Sequence, residues 1–139
     1  MKTKTAQSIM RPAEICVSGD MTLDKISDHL SKHHLSGVPV VDEKNHGIGF
    51  ISEYDCLQQL MQVTYYFDNT SLAEDVMSHK LASTNPDISL IDLALLMNES
   101  KLNVIAVAQE EKIIGIISRG DVMRALVGDL ETCAILEAS

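Results

Sequence analysis

Two short stretches of the chain place a hydroxyl and a carboxylate at the same spacing: Gly49-Phe-Ile-Ser52-Glu-Tyr-Asp55 and Gly115-Ile-Ile-Ser118-Arg-Gly-Asp121. Each lies where an apolar β-type run gives way to a helical pattern. The strand-to-helix turn therefore offers unpaired backbone N–H groups beside an acidic side chain and a hydroxyl. Such a turn can hold the two hydroxyls of a ribose. The same Ser-x-x-Asp spacing also makes a capping box, in which the helix start satisfies itself without a ligand. On the motif alone both readings stand. The residue after the serine is Arg119 in one stretch and Glu53 in the other. An arginine there can reach a phosphate and a glutamate repels one, so the two sites are expected to be unequal, the Asp121 site binding more tightly.

Other chemistry-bearing residues form no comparable set. His29 and His33 stand at i, i+4 with His34 beside them. Leu30 follows His29 where a zinc-protease helix has Glu, and no third ligand is evident, so no metal site is expected. Cys16, Cys56 and Cys133 are scattered, odd in number and lack a C-x-x-C pair, which argues against a disulfide framework or a thiolate zinc site. Neither Cys16 nor Cys56 has an identifiable base, and the acids fall in repeated positions rather than around one reacting bond. No catalytic residue is expected, and no cofactor is required. A small hydrolase has no constellation to support it.

The elements that must position the two motifs repeat along the chain. Ala6-Gln-Ser-Ile-Met10 recurs as Ala73-Glu-Asp-Val-Met77, Asp20 as Asp87, Leu23 as Leu90 and Leu35 as Leu102. Beyond residue 42 the offset shortens by one, so that Gly49, Ser52, Asp55 and Leu60 recur as Gly115, Ser118, Asp121 and Leu126. The lost or gained residue belongs to a hairpin. Each copy reads as a short extended lead-in (Ile15–Val17; Leu81–Ser83), an amphipathic helix, a β-hairpin and a closing helix. The first helix carries Leu23, Ile26 and Leu30, or Leu90, Leu93, Ala94 and Met97, with Thr22 and Ser89 as N-caps and Ser89–Asp92 as a capping box. The hairpin strands are Val38–Val41 with Ile48–Ile51, and Val104–Ala108 with Ile113–Ile117. Strands apolar at nearly every position need cover on both faces, which about sixty residues cannot easily supply. The copies are therefore expected to pack sheet to sheet. Residues 1–64 and 73–128 read as the two repeats, 65–72 as a connector holding the aromatic cluster Tyr65-Tyr66-Phe67, and 129–139 as a tail able to add a helical segment. The aromatics suit either a partner patch or local core.

Composition narrows the partners. The 139 residues are 45% hydrophobic and 22% charged, with a formal net charge of −9. Both halves are acidic, which argues against nucleic acid as a partner, whereas one nucleotide needs only a local cation or a ring of N–H groups. No apolar run approaches the length of a membrane span, and no apolar stretch follows Lys2 and Lys4. A cytoplasmic location without membrane contact is the expectation.

The order of amphipathic helix, Ser36-Gly-Val-Pro-Val-Val-Asp42, hairpin, Gly-h-Ile-Ser-x-x-Asp (h, apolar) and closing helix, present twice from about Ala6 to Val127, resembles the CBS (cystathionine-β-synthase) domain family. The resemblance implies an α+β (α/β) fold of two tandem repeats packed about a pseudo-twofold axis, a Bateman module. It further implies two clefts for AMP, ADP, ATP or S-adenosylmethionine, commonly in a disc-shaped homodimer. Carried over by position, one cleft would comprise Ser118, Asp121, Arg119 and Ile116 with Ile15, Ser36, Gly37, Val38 and Pro39. The other would comprise Ser52, Asp55 and Phe50 with Lys80, Leu81, Asn103, Val104, Ile105 and Ala106. The family often has Arg or His just ahead of the second strand, where this chain has Ser36-Gly37 and Asn103-Val104, a departure that disfavours triphosphates. The expectation is a regulatory sensor acting on an unidentified effector protein. A ligand-free interaction or oligomerisation scaffold is the alternative.

Overall fold

The structure, a computed structural model, describes residues 4–66 and 71–138, with side chains placed for 4–62 and 71–133. In chain order the first copy holds α1 (Ala6–Ile9), β1 (Arg11–Pro12), a 3-10 turn (Ala13–Ile15), β2 (Val17–Ser18), α2 (Leu23–His33), β3 (Gly37–Val41), β4 (Gly47–Ser52) and α3 (Glu53–Tyr66). The second holds α4 (Ala73–Val76), β5 (Ser83–Thr84), α5 (Leu90–Glu99), β6 (Val104–Gln109), β7 (Lys112–Ser118) and α6 (Arg119–Ala138).

The helices follow from sequence spacing. Leu23, Ile26 and Leu30 recur along one face of α2 and are buried, as are Leu90, Leu93 and Met97 of α5. Each such side chain contributes about 1.5–3 kcal/mol on leaving water. Ser89 caps α5, its hydroxyl accepting from the Asp92 N–H at 3.1 Å. Thr22 occupies the equivalent N-cap of α2, but its hydroxyl makes no capping bond. α2 ends on a residue in the left-handed region, His34 (φ 54°), whereas α5 ends on right-handed Ser100 and the left-handed residue, Lys101 (φ 51°), follows it.

Each hairpin has the same irregularity, between Val40 and Val41 and between Val107 and Ala108. The copies part only at the tip, where Val41 faces Gly47 but Ala108 faces Ile113. Five residues bridge the first pair and four the second, which locates the change of offset. The strands form two sheets, β2-β3-β4 and β1-β7-β6-β5. Val104 and Ile116 of the second copy share a buried cluster with Val38, Val40 and Ile51 of the first, so the sheets pack together across the pseudo-twofold axis as their apolar patterns require.

The leading segments are exchanged. Ala6, Ile9 and Met10 pack into the core of the second copy, while Ala73, Val76 and Met77 pack into that of the first. Reciprocal backbone bonds fix the exchange: Ala6 N to Ile88 O at 3.0 Å, and Ala73 N to Met21 O at 2.9 Å. Arg11 and Pro12 then pair antiparallel with Ile116 and Gly115. Ser78 bridges Phe50 by mirrored N–H···O bonds, both 2.8 Å. The motif glycines permit these crossings. A Cβ on Gly115 would lie 2.7 Å from the Arg11 carbonyl, and one on Gly49 would lie 2.5 Å from that of Ser78.

Two expected boundaries shift. α3 continues to Tyr66, into the stretch read as connector. α6 runs unbroken from Arg119 to Ala138, so residues after Gly128 prolong the closing helix instead of adding a segment. One glycine costs a helix only about 1 kcal/mol, and the good helix formers beyond it outweigh that. The aromatic side chains of Tyr65-Tyr66-Phe67 lie outside the described residues.

Candidate functional site

Both motifs close into reciprocal capping boxes. The Asp55 N–H donates to Ser52 Oγ at 3.2 Å and the Ser52 N–H to Asp55 Oδ2 at 2.9 Å. The Asp121 N–H donates to Ser118 Oγ at 3.2 Å and the Ser118 N–H to Asp121 Oδ2 at 2.9 Å. These bonds occupy one face of each carboxylate and leave the rest of its acceptor capacity to its surroundings.

The surroundings differ sharply. Arg11 approaches Asp121 side-on, Nε donating to Oδ2 and Nη2 to Oδ1, each at 3.0 Å. Arg124 Nη2 donates to Oδ1 at 2.6 Å. The Arg11 guanidinium also reaches the His33 carbonyl at 2.7 Å and Ser118 Oγ at 3.4 Å. Four donors thus fill the Asp121 carboxylate. Burial opposes its ionisation, but the Arg11 hydrogen bonds and those from Ser118 outweigh it and hold the pKa below the ordinary carboxylate value. At Asp55, Ser52 Oγ adds a 3.0 Å bond to Oδ2, and among the described residues Oδ1 has no partner. Under the internal repeat Ser78 stands where Arg11 does, and Gln58 where Arg124 does.

Each motif opens on a cavity drawing on both copies, and the two share Ser36 and Asn103 as a common wall. The first, about 470 Å³, is lined by Arg11, His33, His34, Ser118, Arg119, Gly120 and Arg124 besides that wall. It is strongly cationic. Partial desolvation, reinforced by the neighbouring His29, Lys32 and Arg11, holds the His33 pKa below its ordinary value. The second, about 500 Å³, has Phe50, Tyr54, Leu81, Ala82, Leu102 and Val104 as apolar lining, with Ser52 and Glu53 at the helix start and Lys80 and Lys101 as cations. Both volumes suit a small ligand.

Of the expected cleft residues, Ser36, Ser118 and Arg119 line the first cavity, and Phe50, Ser52, Lys80, Leu81, Asn103 and Val104 line the second. Asp121 and Asp55 stand behind the walls, bonded to Ser118 and Ser52. The others are placed differently. Ile116, Val38, Ile105 and Ala106 are at most 1% exposed, Gly37 and Pro39 are buried, and none of the six lines the cavity expected of it, because strands covered on both faces turn their side chains into the cores. Ile15 packs on the first core instead. Arg11, Arg124, His33, His34, Tyr54, Lys101 and Leu102 are lining residues that motif reading missed. Comparing the repeats at every position, Arg11 against Ser78 and Arg124 against Gln58, would have flagged the two arginines.

His29 Nε2 bonds to the Ile15 carbonyl at 2.6 Å, which commits that ring nitrogen to the fold. Among the described residues no group of three or more His, Cys, Asp or Glu is arranged to hold a metal, and no helix is long and apolar enough to cross a membrane.

Comparison with known proteins agrees with this architecture. The CBS domain family model matches residues 6–62 and 73–128. The chain superposes on AcuB from Vibrio cholerae with a TM-score of 0.83, covering 99% of this chain and 98% of that one at 20% identity. It superposes on CBSX2, an Arabidopsis thaliana protein solved in complex with AMP, with a TM-score of 0.73 over 89% and 96% of the two chains at 26% identity. The CBS domain pair of protein MJ0100, solved with 5′-methylthioadenosine and S-adenosyl-L-methionine, gives a TM-score of 0.73 over 92% and 99% at 20% identity.

Proposed function

This chain belongs to the CBS domain family, carrying two copies of the domain, and from that premise we propose a sensor that binds an adenine nucleotide and thereby modulates a partner protein. The observation that carries the reading is the Asp55 cavity. There a carboxylate oxygen without a partner among the described residues lies behind a helix start, an apolar slot stands beside it, and two lysines line the same space. A ribose diol, an adenine ring and a phosphate ask for those three features. CBSX2 bound to AMP supports the same ligand class.

Regulation fits these residues better than catalysis. Burial raises the Cys16 pKa to about 12 and that of Cys56 above its ordinary value, so neither is a thiolate at neutral pH. Occupancy can act only through a conformational preference of the ligand, and both cavities lie between the two copies, where such a preference changes their packing. A second copy of the chain is the natural neighbour. Leu57 and Met61 of α3, and at matching repeat positions Met123 and Val127 of α6, are all more than half exposed, four residues apart on one face of each helix. A homodimer through these faces is part of the proposal.

The closed capping boxes favour a second reading, a scaffold that binds no nucleotide. Thermal-shift measurements with AMP, ADP, ATP, NAD and S-adenosylmethionine separate the two. A ligand at a hundred times its Kd stabilises the folded state by about 2.7 kcal/mol, so a nucleotide that binds raises the Tm by several degrees. No shift with any of them at millimolar concentration would leave the scaffold.

A further inference from the structure

The two cavities are related by the repeat and nearly equal in volume, yet their linings differ. Building on the nucleotide-binding reading, we infer that Arg11 bars nucleosides from the Asp121 cavity, so that each chain takes one adenosine 5′-phosphate, seated at Asp55. This reverses the order of affinity suggested by Arg119 and Glu53.

Three observations converge. The Asp121 carboxylate already accepts from Arg11 Nε and Nη2, from Arg124 and from the Ser118 N–H. A carboxylate has about four acceptor sites, so a ribose hydroxyl must displace a guanidinium and replace a charge-assisted bond with a weaker one. Swinging Arg11 aside would in addition break its Nη1 bond to the His33 carbonyl at the end of α2. The third observation concerns the base. Phe50, Leu81, Ala82 and Val104 line the Asp55 cavity, whereas their counterparts Ile116, Glu14, Ile15 and Gly37 do not line the Asp121 cavity. The Phe50 ring itself covers Gly37, where a Cβ would meet Cζ at 2.5 Å. At the Asp55 site Ser78 supplies no competing cation, and among the described residues Lys80 and Lys101 provide the cationic lining for a phosphate.

Titration calorimetry with AMP on the full chain tests this, with Asp55→Asn, Asp121→Asn and Arg11→Met as variants. The wild type is expected to bind one AMP per chain, Asp55→Asn to weaken it about tenfold or more, and Asp121→Asn to keep the wild-type affinity. Arg11→Met, which empties two acceptor positions on Asp121, is expected to gain a second, weaker site. Two equivalent sites in the wild type, or loss of binding in Asp121→Asn with Asp55→Asn unaffected, would overturn the inference while leaving the nucleotide reading intact. Absence of AMP binding in both wild type and Arg11→Met would remove the two together. If Arg11→Met does not fold, AMP-induced NMR shifts in the wild type decide the matter. The inference requires them at the Leu81 and Val104 methyls, and the largest shifts at Arg119 and Gly120 would refute it.

Discussion

Replacing Arg11 by methionine keeps much of the apolar stem and deletes the guanidinium, so its effect on stability reports the pair with Asp121. The two side chains are 23% and 10% exposed, which places the pair between a surface bridge, worth about 0–1 kcal/mol, and a fully buried one, whose breaking costs about 3–5 kcal/mol. Arg124 and the Ser118 N–H remain on the carboxylate and limit the damage. The loss of the bond to the His33 carbonyl adds to it. A net cost of about 2 kcal/mol follows, or a fall in Tm of about 6–10 °C for a chain of this size. The assay is urea denaturation of wild type, Arg11→Met, Asp121→Asn and the double variant. The cycle should return a coupling of about 1–2 kcal/mol at pH 7. The pH dependence has a definite sign. The folded pKa of Asp121 lies below its unfolded value of about 4. Its stabilisation is therefore complete above about pH 4 and disappears as the pH falls through the lower, folded value. The gap between wild type and Arg11→Met should narrow over that acid range. A coupling near zero at pH 7, or a gap unchanged at pH 2–3 under conditions where both proteins still fold, would refute the assignment of Arg11 as the partner of Asp121.

Gly49→Ala places a methyl against the Ser78 carbonyl and Met77; equilibrium unfolding should show a loss of about 2–4 kcal/mol from overpacking and the two broken Phe50–Ser78 bonds. The same substitution disturbs Lys80 and Leu81, so calorimetry should show weaker AMP binding by the fraction that stays folded. With Glu53 in the lining and two lysines as its cations, the Asp55 cavity should prefer AMP to ATP. Competition titration would show the triphosphate weaker by about tenfold or less, and Glu53→Gln should close that gap. Replacing Leu57 and Met123 together by glutamate should shift light-scattering mass from dimer to monomer without lowering the Tm of the monomer, because both side chains are more than half exposed.

Legibility in the sequence followed the range of the interactions. The amphipathic faces of α2 and α5, the apolar strands and the change of offset at the hairpin tip are local patterns, and the structure has them where the spacing puts them. The extents of α3 and α6 were harder to read, because the polar residues flanking the aromatic cluster at 65–67 resemble a connector and Gly128 resembles a helix end. The cleft residues divide in the same way. Ser52 and Ser118 could be read from their motif, but motif position alone did not distinguish Phe50, which lines a cavity, from Ile116, which is buried at the equivalent place.

The sequence by itself determined that there are two copies of one α/β unit, that their sheets must cover one another, and that each copy presents a serine and an aspartate at a helix start. Spacing and hydrophobic period are sufficient for those conclusions. Only the tertiary structure decided what faces each aspartate. Arg11 lies 110 residues from Asp121 in the chain, and it arrives there because the leading segments are exchanged between the copies and cross at Gly49 and Gly115. A contact made by exchange joins positions that no local pattern links. The inequality of the cavities therefore rests less on the neighbouring residues Arg119 and Glu53 than on the distant Arg11 and Ser78.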